Sequence, residues 1–130
     1  MAVGKERKIF TQEQYLFYVG KEMKIDQLSK EHEELFPKAT MESQVWKLEE
    51  EMTEFLQAKT REKKRKERAD ILIVCGGLHR WCPVQATFMW DCFWDPEVDK
   101  EIDRKWAINR HRTWAWNGKT YKHVGIDGNE

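Results

Sequence analysis

Two pairs of carboxylates stand three residues apart in this chain, Glu51 with Glu54 and Glu67 with Asp70. Three residues of α-helix turn through about 300°, so the side chains of each pair emerge close together and form an acidic ridge. If the segments that carry them make an antiparallel helical hairpin turning at Thr60-Arg61, Glu54 faces Glu67 and Glu51 faces Asp70. Four carboxylates in such a square repel one another unless a cation stands between them. All-oxygen ligands suit hard Mg²⁺ or Mn²⁺, and Mg²⁺ keeps coordination positions open for water and phosphates. A lone ExxE pair is usually a solvated helix face. Here the registers match, and Asp70 directly precedes Ile71-Leu72-Ile73-Val74-Cys75, where an unpaired carboxylate is costly.

A second group is basic. Lys105, Asn109 and Arg112 are spaced by four and three residues, so one helix face presents all three as donors suited to phosphate oxygens. The alternative is an ordinary solvated basic face. Trp46 and Trp114 are candidates to stack on a base, although either is more often plain packing. Cys75, His79 and Cys82 also share a helical face, and Cys92 would complete a zinc set. Against zinc, Cys75 lies in an apolar run and Pro83 disturbs the helix beside Cys82.

The elements that must position these groups are helices. Thr11 with Gln14 makes a capping box ahead of Tyr15, Tyr18, Val19, Met23 and Leu28, a first helix loosened at Gly20 and stopped at Phe36-Pro37. Thr40 or Ser43 caps a second, in which Met41, Val45, Leu48, Met52 and Phe55 recur at helical period. From Lys59 to Arg68 there are seven basic residues, two acidic ones and no apolar side chain, and the first half reads as a solvated turn. Ala69 to Leu78 then reads as a buried central helix, with Gly76-Gly77 letting another backbone pack close. The stretch Trp81 to Trp94 is too apolar for an exposed loop, so it is core or a subunit interface. Asp95-Pro96-Glu97 starts a last helix running to about Arg112, and the tail from about 113 reads as irregular. The expected fold is all-α and four-helix-bundle-like, a single domain over 1–130, with no strand pattern long enough to build a sheet.

Composition limits the partners. The 23 basic and 23 acidic residues balance, which argues against a stable nucleic-acid partner. No apolar run reaches the roughly 18 residues of a membrane span, and three cysteines without framework spacing suit a reducing compartment.

Taken together, Glu50-Glu51-x-x-Glu54, twelve further residues, and Glu67-x-x-Asp70 resemble the EExxE…ExxD signature of the MazG-like, all-alpha nucleoside triphosphate pyrophosphohydrolases. The resemblance covers roughly residues 40 to 123 and continues into Lys105-x-x-x-Asn109-Arg110-x-Arg112-x-Trp114, with Gly118 and His123 beyond. It looks most like the short phage-type members, while the Trp81 to Trp94 stretch departs from the family pattern. The resemblance implies Mg²⁺ on Glu51, Glu54, Glu67 and Asp70, with Glu50 beside them orienting water, and Glu50, Glu51 and Glu54 as the catalytic carboxylates. It further implies Lys105, Asn109, Arg112 and His123 as substrate contacts, a homodimer or homotetramer, and a place in the cytoplasm, the host's if phage-encoded. The implied reaction splits a (d)NTP into the monophosphate and pyrophosphate. The phage-type ending tilts the expectation to dGTP or dATP; dUTP or dCTP hydrolysis on the same fold, a nucleic-acid-binding helical module and a helical interaction protein are the alternatives.

Overall fold

The computed structural model describes residues 12–125, and of residues 13–23 the helical backbone alone. Five helices occur in that span: α1 (Gln12–Leu35), α2 (Met41–Gln57), α3 (Arg61–Leu78), α4 (Pro83–Phe93) and α5 (Pro96–His111). Two antiparallel strands follow, β1 (Thr113–Trp116) and β2 (Tyr121–Val124). The class is all-α, as expected, with one more helix than a four-helix bundle and a β-hairpin where an irregular tail was expected. Strands of four residues are too short to register as alternation. The hairpin turns where Asn117 Oδ1 accepts from the backbone of Lys119 and Thr120, and Gly118 takes φ +95°, a value open to glycine without strain.

α1 runs unbroken through Gly20. The Thr11 cap and the side chains of Gln14, Tyr15, Tyr18, Val19 and Met23 lie outside the described residues. At the start of α2, Thr40 and Ser43 act together, each side chain accepting from the other's backbone N–H. The face that α2 buries takes in only part of its apolar stripe. Met41 and Val45 stay exposed while Ser43 and Gln44 are buried, and Lys47, Leu48, Glu51, Met52 and Phe55 are half-buried. The helix is therefore rotated to carry polar side chains inward.

The basic run is helical too, because Lys, Arg and Glu are good helix formers and Thr60 caps the start by accepting from Lys63 N–H. Its long side chains tie neighbouring elements. Lys64 Nζ donates to the Phe55 carbonyl at 3.0 Å, and Arg68 reaches the Phe93 carbonyl at 3.0 Å and Asp95 at 2.6 Å. Beyond it, Ala69 and Ile71 to Leu78 are buried, and α3 packs against α1, α2, α4 and α5. The two glycines allow that crowding. A methyl at Gly76 would stand 2.7 Å from Leu28 Cγ, and one at Gly77 would stand 2.6 Å from His32 Nε2 and 2.7 Å from Gln44 Oε1.

The aromatic segment becomes α4, which buries Ala86 and Trp90 and leaves Val84 76% and Phe88 67% exposed. Asp95 caps α5 through Val98 N–H, and Val98, Ile102 and Trp106 face the core at steps of four. Trp114 and Tyr121 of the hairpin seat on Phe36, their ring centroids 5.1 and 5.0 Å from it. No helix among the described residues is long and apolar enough to cross a membrane.

Candidate metal site and cleft

The short connection between α2 and α3 folds the two acidic turns onto each other. Ligand oxygens of Glu51, Glu54 and Glu67 lie within 4.8 Å of one another. Asp70 stands beside this group but outside it, because its Oδ2 accepts from Lys105 Nζ at 2.9 Å. The predicted square is thus a triangle of carboxylates with a fourth held by a lysine from α5. Lys105 does not stand free for phosphate; it is the counterion of Asp70.

Burial and mutual repulsion set the protonation of the cluster. Desolvation first, then the charges of Asp70, Glu54, Glu67 and Glu50, push the Glu51 carboxyl up to about 8. The same two causes raise Glu67, with burial the larger. Asp70 is also raised by burial, with Lys105 opposing. Glu51 Oε1 and Glu67 Oε1 are buried and make no hydrogen bond to protein. A buried carboxylate oxygen without a donor is unfavourable, and two such groups converging with the exposed Glu54 have the chemistry of a hard divalent-cation site. Glu50 is exposed, 4.0 Å from Lys47, on the outer side of the same turn.

Glu51 and Asp70 also line a cleft of about 180 Å³ that runs from the acidic cluster between α1, α2, α5 and the hairpin. Asn109 lines it, as the spacing on α5 suggested, and so does Trp114. Arg112 and His123 do not: Arg112 caps the end of α5, and the His123 ring packs 5.9 Å from Trp114, its partner across the hairpin. Trp46 is 38% exposed, with Lys119 Nζ 5.5 Å above its ring, and is not part of the cleft wall. The placement of Arg112 and His123 follows from the hairpin, whose first strand begins directly after Arg112.

The alternative zinc set is not assembled among the described residues. Cys75 is buried with its thiol pushed up to about 12 by desolvation, Cys82 Sγ lies 3.6 Å from Met41 Sδ, and Cys92 is exposed. His79 faces Asp26 at 4.0 Å instead. Among the described residues the converging metal-ligating group is the acidic one.

The cleft holds residues that the motifs did not indicate. Gln44 and Lys47 precede the motif residue Glu51 on α2 at helical spacing, and His32 of α1 and Tyr121 of β2 line the same cleft. The Tyr121 hydroxyl accepts from Lys38 N–H at 2.9 Å, which fastens the hairpin to the corner between α1 and α2. The α2 trio was detectable as a polar stripe at helical spacing, whereas nothing local marks His32 or Tyr121. No protein-family model, curated protein or solved structure matches this chain.

Proposed function

We propose that the protein is a Mg²⁺-dependent nucleoside triphosphate pyrophosphohydrolase of the MazG-like, all-alpha kind, converting a (d)NTP and water to the (d)NMP and pyrophosphate. One observation carries the reading: three carboxylates converge with two buried oxygens that no donor satisfies, beside a cleft of about 180 Å³ that Glu51 also lines. Glu51, Glu54 and Glu67 are the residues that would hold the ion, with Asp70 beside them. Mg²⁺ held there supplies positive charge against the triphosphate and acidity to water.

The chain's own residues do the remaining work. Glu50, solvated and one residue before Glu51, is the group assigned to accept a proton from the attacking water. Water adds at the α-phosphorus and the bond between the α and β phosphates breaks. Lys105 favours the charged form of Asp70 against burial, and Asn109 offers an amide to substrate in the cleft. Most of this is positioning and charge stabilisation, the usual share of a protein in phosphoryl transfer. The Lys64 and Arg68 side chains are engaged in structural contacts, which favours this reading over a nucleic-acid module. Homodimer or homotetramer formation belongs to the same reading, with Val84 and Phe88 of α4 as apolar surface for it.

The test is a screen of all canonical NTPs and dNTPs with Mg²⁺, products separated by chromatography. Monophosphate and pyrophosphate are expected, with ¹⁸O from labelled water in the monophosphate. Glu54→Gln should lower the rate at least about 100-fold while leaving the helical circular dichroism intact. A fully active variant, or orthophosphate as product, would falsify the proposal.

A further inference from the structure

The cleft floor holds a buried polar pair that the proposed chemistry does not use. His32 is 4% exposed and Gln44 7%, and both line the cleft at the end away from the acidic cluster. His32 Nε2 and Gln44 Oε1 converge on the space left open by Gly77, each within 2.7 Å of where a methyl there would sit. The two side chains are hydrogen-bonded. Since the amide oxygen faces the ring, the imidazole is the donor, through Nε2–H. Burial, more than the nearby Arg80 charge, lowers the His32 pKa to about 4, so the ring is neutral at physiological pH. Its other nitrogen, Nδ1, is then a bare lone pair, in keeping with its lack of any partner.

That bond fixes the orientation of Gln44. With Oε1 committed to His32, the other end of the amide, Nε2, is the end left for the cleft that Gln44 lines. A fixed N–H donor is therefore presented to the cleft, and an acceptor is not. Gln44 and Glu51 lie on one face of α2, seven residues and so roughly 10 Å apart along the axis, about the span of a nucleoside. Trp114 and Tyr121 form an aromatic wall of the same cleft.

We propose that Gln44, oriented by the neutral His32, reads the nucleobase edge and selects a keto base over its amino counterpart. This deepens the pyrophosphohydrolase reading and rests on it. A carbonyl oxygen, O6 of a 6-oxopurine or O4 of uracil, accepts from the Gln44 amide. An exocyclic amino group at the same position sets donor against donor and leaves both unsatisfied, which discriminates more strongly than the loss of one contact. His32 is a positioning residue here, since it acts through Gln44.

The experiment compares base pairs that differ at this position, dITP with dATP and dUTP with dCTP, by kcat/KM of the Mg²⁺-loaded protein. Calorimetric binding of the four monophosphates provides a readout independent of turnover. The expected keto preference is about tenfold in each pair. Gln44→Glu, which replaces the donor by an acceptor, should reverse it. His32→Phe should bring the ratio towards one by freeing the amide to turn, and His32→Gln, which keeps a side-chain N–H donor, should restore part of it. A wild-type protein that hydrolyses triphosphates without keto preference overturns the inference and leaves the pyrophosphohydrolase standing, and this decides even if a variant fails to fold. A ratio unchanged in folded Gln44→Glu also overturns it. Hydrolysis of no triphosphate, with no monophosphate bound, removes both readings together.

Discussion

The second half of α3 and the whole of α4 look alike as strings of apolar residues, yet the molecule treats them differently. Ile71, Leu72 and Cys75 are fully buried, because α3 is wrapped by four other helices. α4 covers one side of α3 and has a smaller contact with α1 besides, so Trp90 is 1% exposed while Phe88, two residues away, is 67% exposed. Hydrophobicity proposes burial; the number of neighbours an element can have decides it. The same central position explains the candidate site, since Asp70 can be held at the edge of the core only because α5 supplies Lys105 across from it.

The comparison can be broken by substitution, beginning with the largest effect. Trp90→Ala and Leu72→Ala remove buried side chains from the two helices, and losses of about 3–5 and 2–5 kcal/mol are expected in chemical denaturation. A loss below about 1 kcal/mol for Trp90→Ala would mean that α4 is not part of the core. Gly77→Ala drives a methyl into the His32–Gln44 pair and should cost about 1–3 kcal/mol by the same measurement, with a change in base preference.

The acidic turn of α2 predicts a dependence on pH. Glu51 has its pKa raised in the folded state to about 8, so the stability linked to its protonated form is complete below the ordinary carboxyl value of 4.5. That contribution is lost as pH rises from there through 8. Metal-free protein should therefore melt at a lower temperature at pH 9 than at pH 6 by this group's contribution, and Mg²⁺ or Mn²⁺ should raise the melting temperature more at the higher pH, where the ligands are ionised. Equal metal shifts at both pH values would count against the cluster as a cation site. The smallest effect belongs to the exposed face of α4: Phe88→Ser should change monomer stability by no more than about 0.5 kcal/mol. A larger loss, accompanied by a shift in sedimentation, would show that this face is covered by another copy.

Much of the arrangement was written locally. The Thr40–Ser43 and Asp95-Pro96 caps, the apolar run after Asp70 and the ExxE and ExxD spacings each depend on neighbours within a few residues, where helix geometry leaves little choice. From these the all-α class and the meeting of Glu51, Glu54 and Glu67 follow directly. The lengths of the α2–α3 connection and of the hairpin strands were less legible, because charged residues extend helices as readily as they make turns, and four-residue strands carry almost no periodic signal.

What only the tertiary structure decided was partnership between distant residues. Lys105 was legible as a cation, but its commitment to Asp70 depends on how α5 crosses α3. The rotation of α2 that hides Gln44 and exposes Val45, the docking of Tyr121 against the α1–α2 corner, and the contact of His32 with Gln44 past Gly77 join residues that no local rule connects. Helical spacing determines which side chains share a face, whereas the packing of one helix on another determines what that face meets.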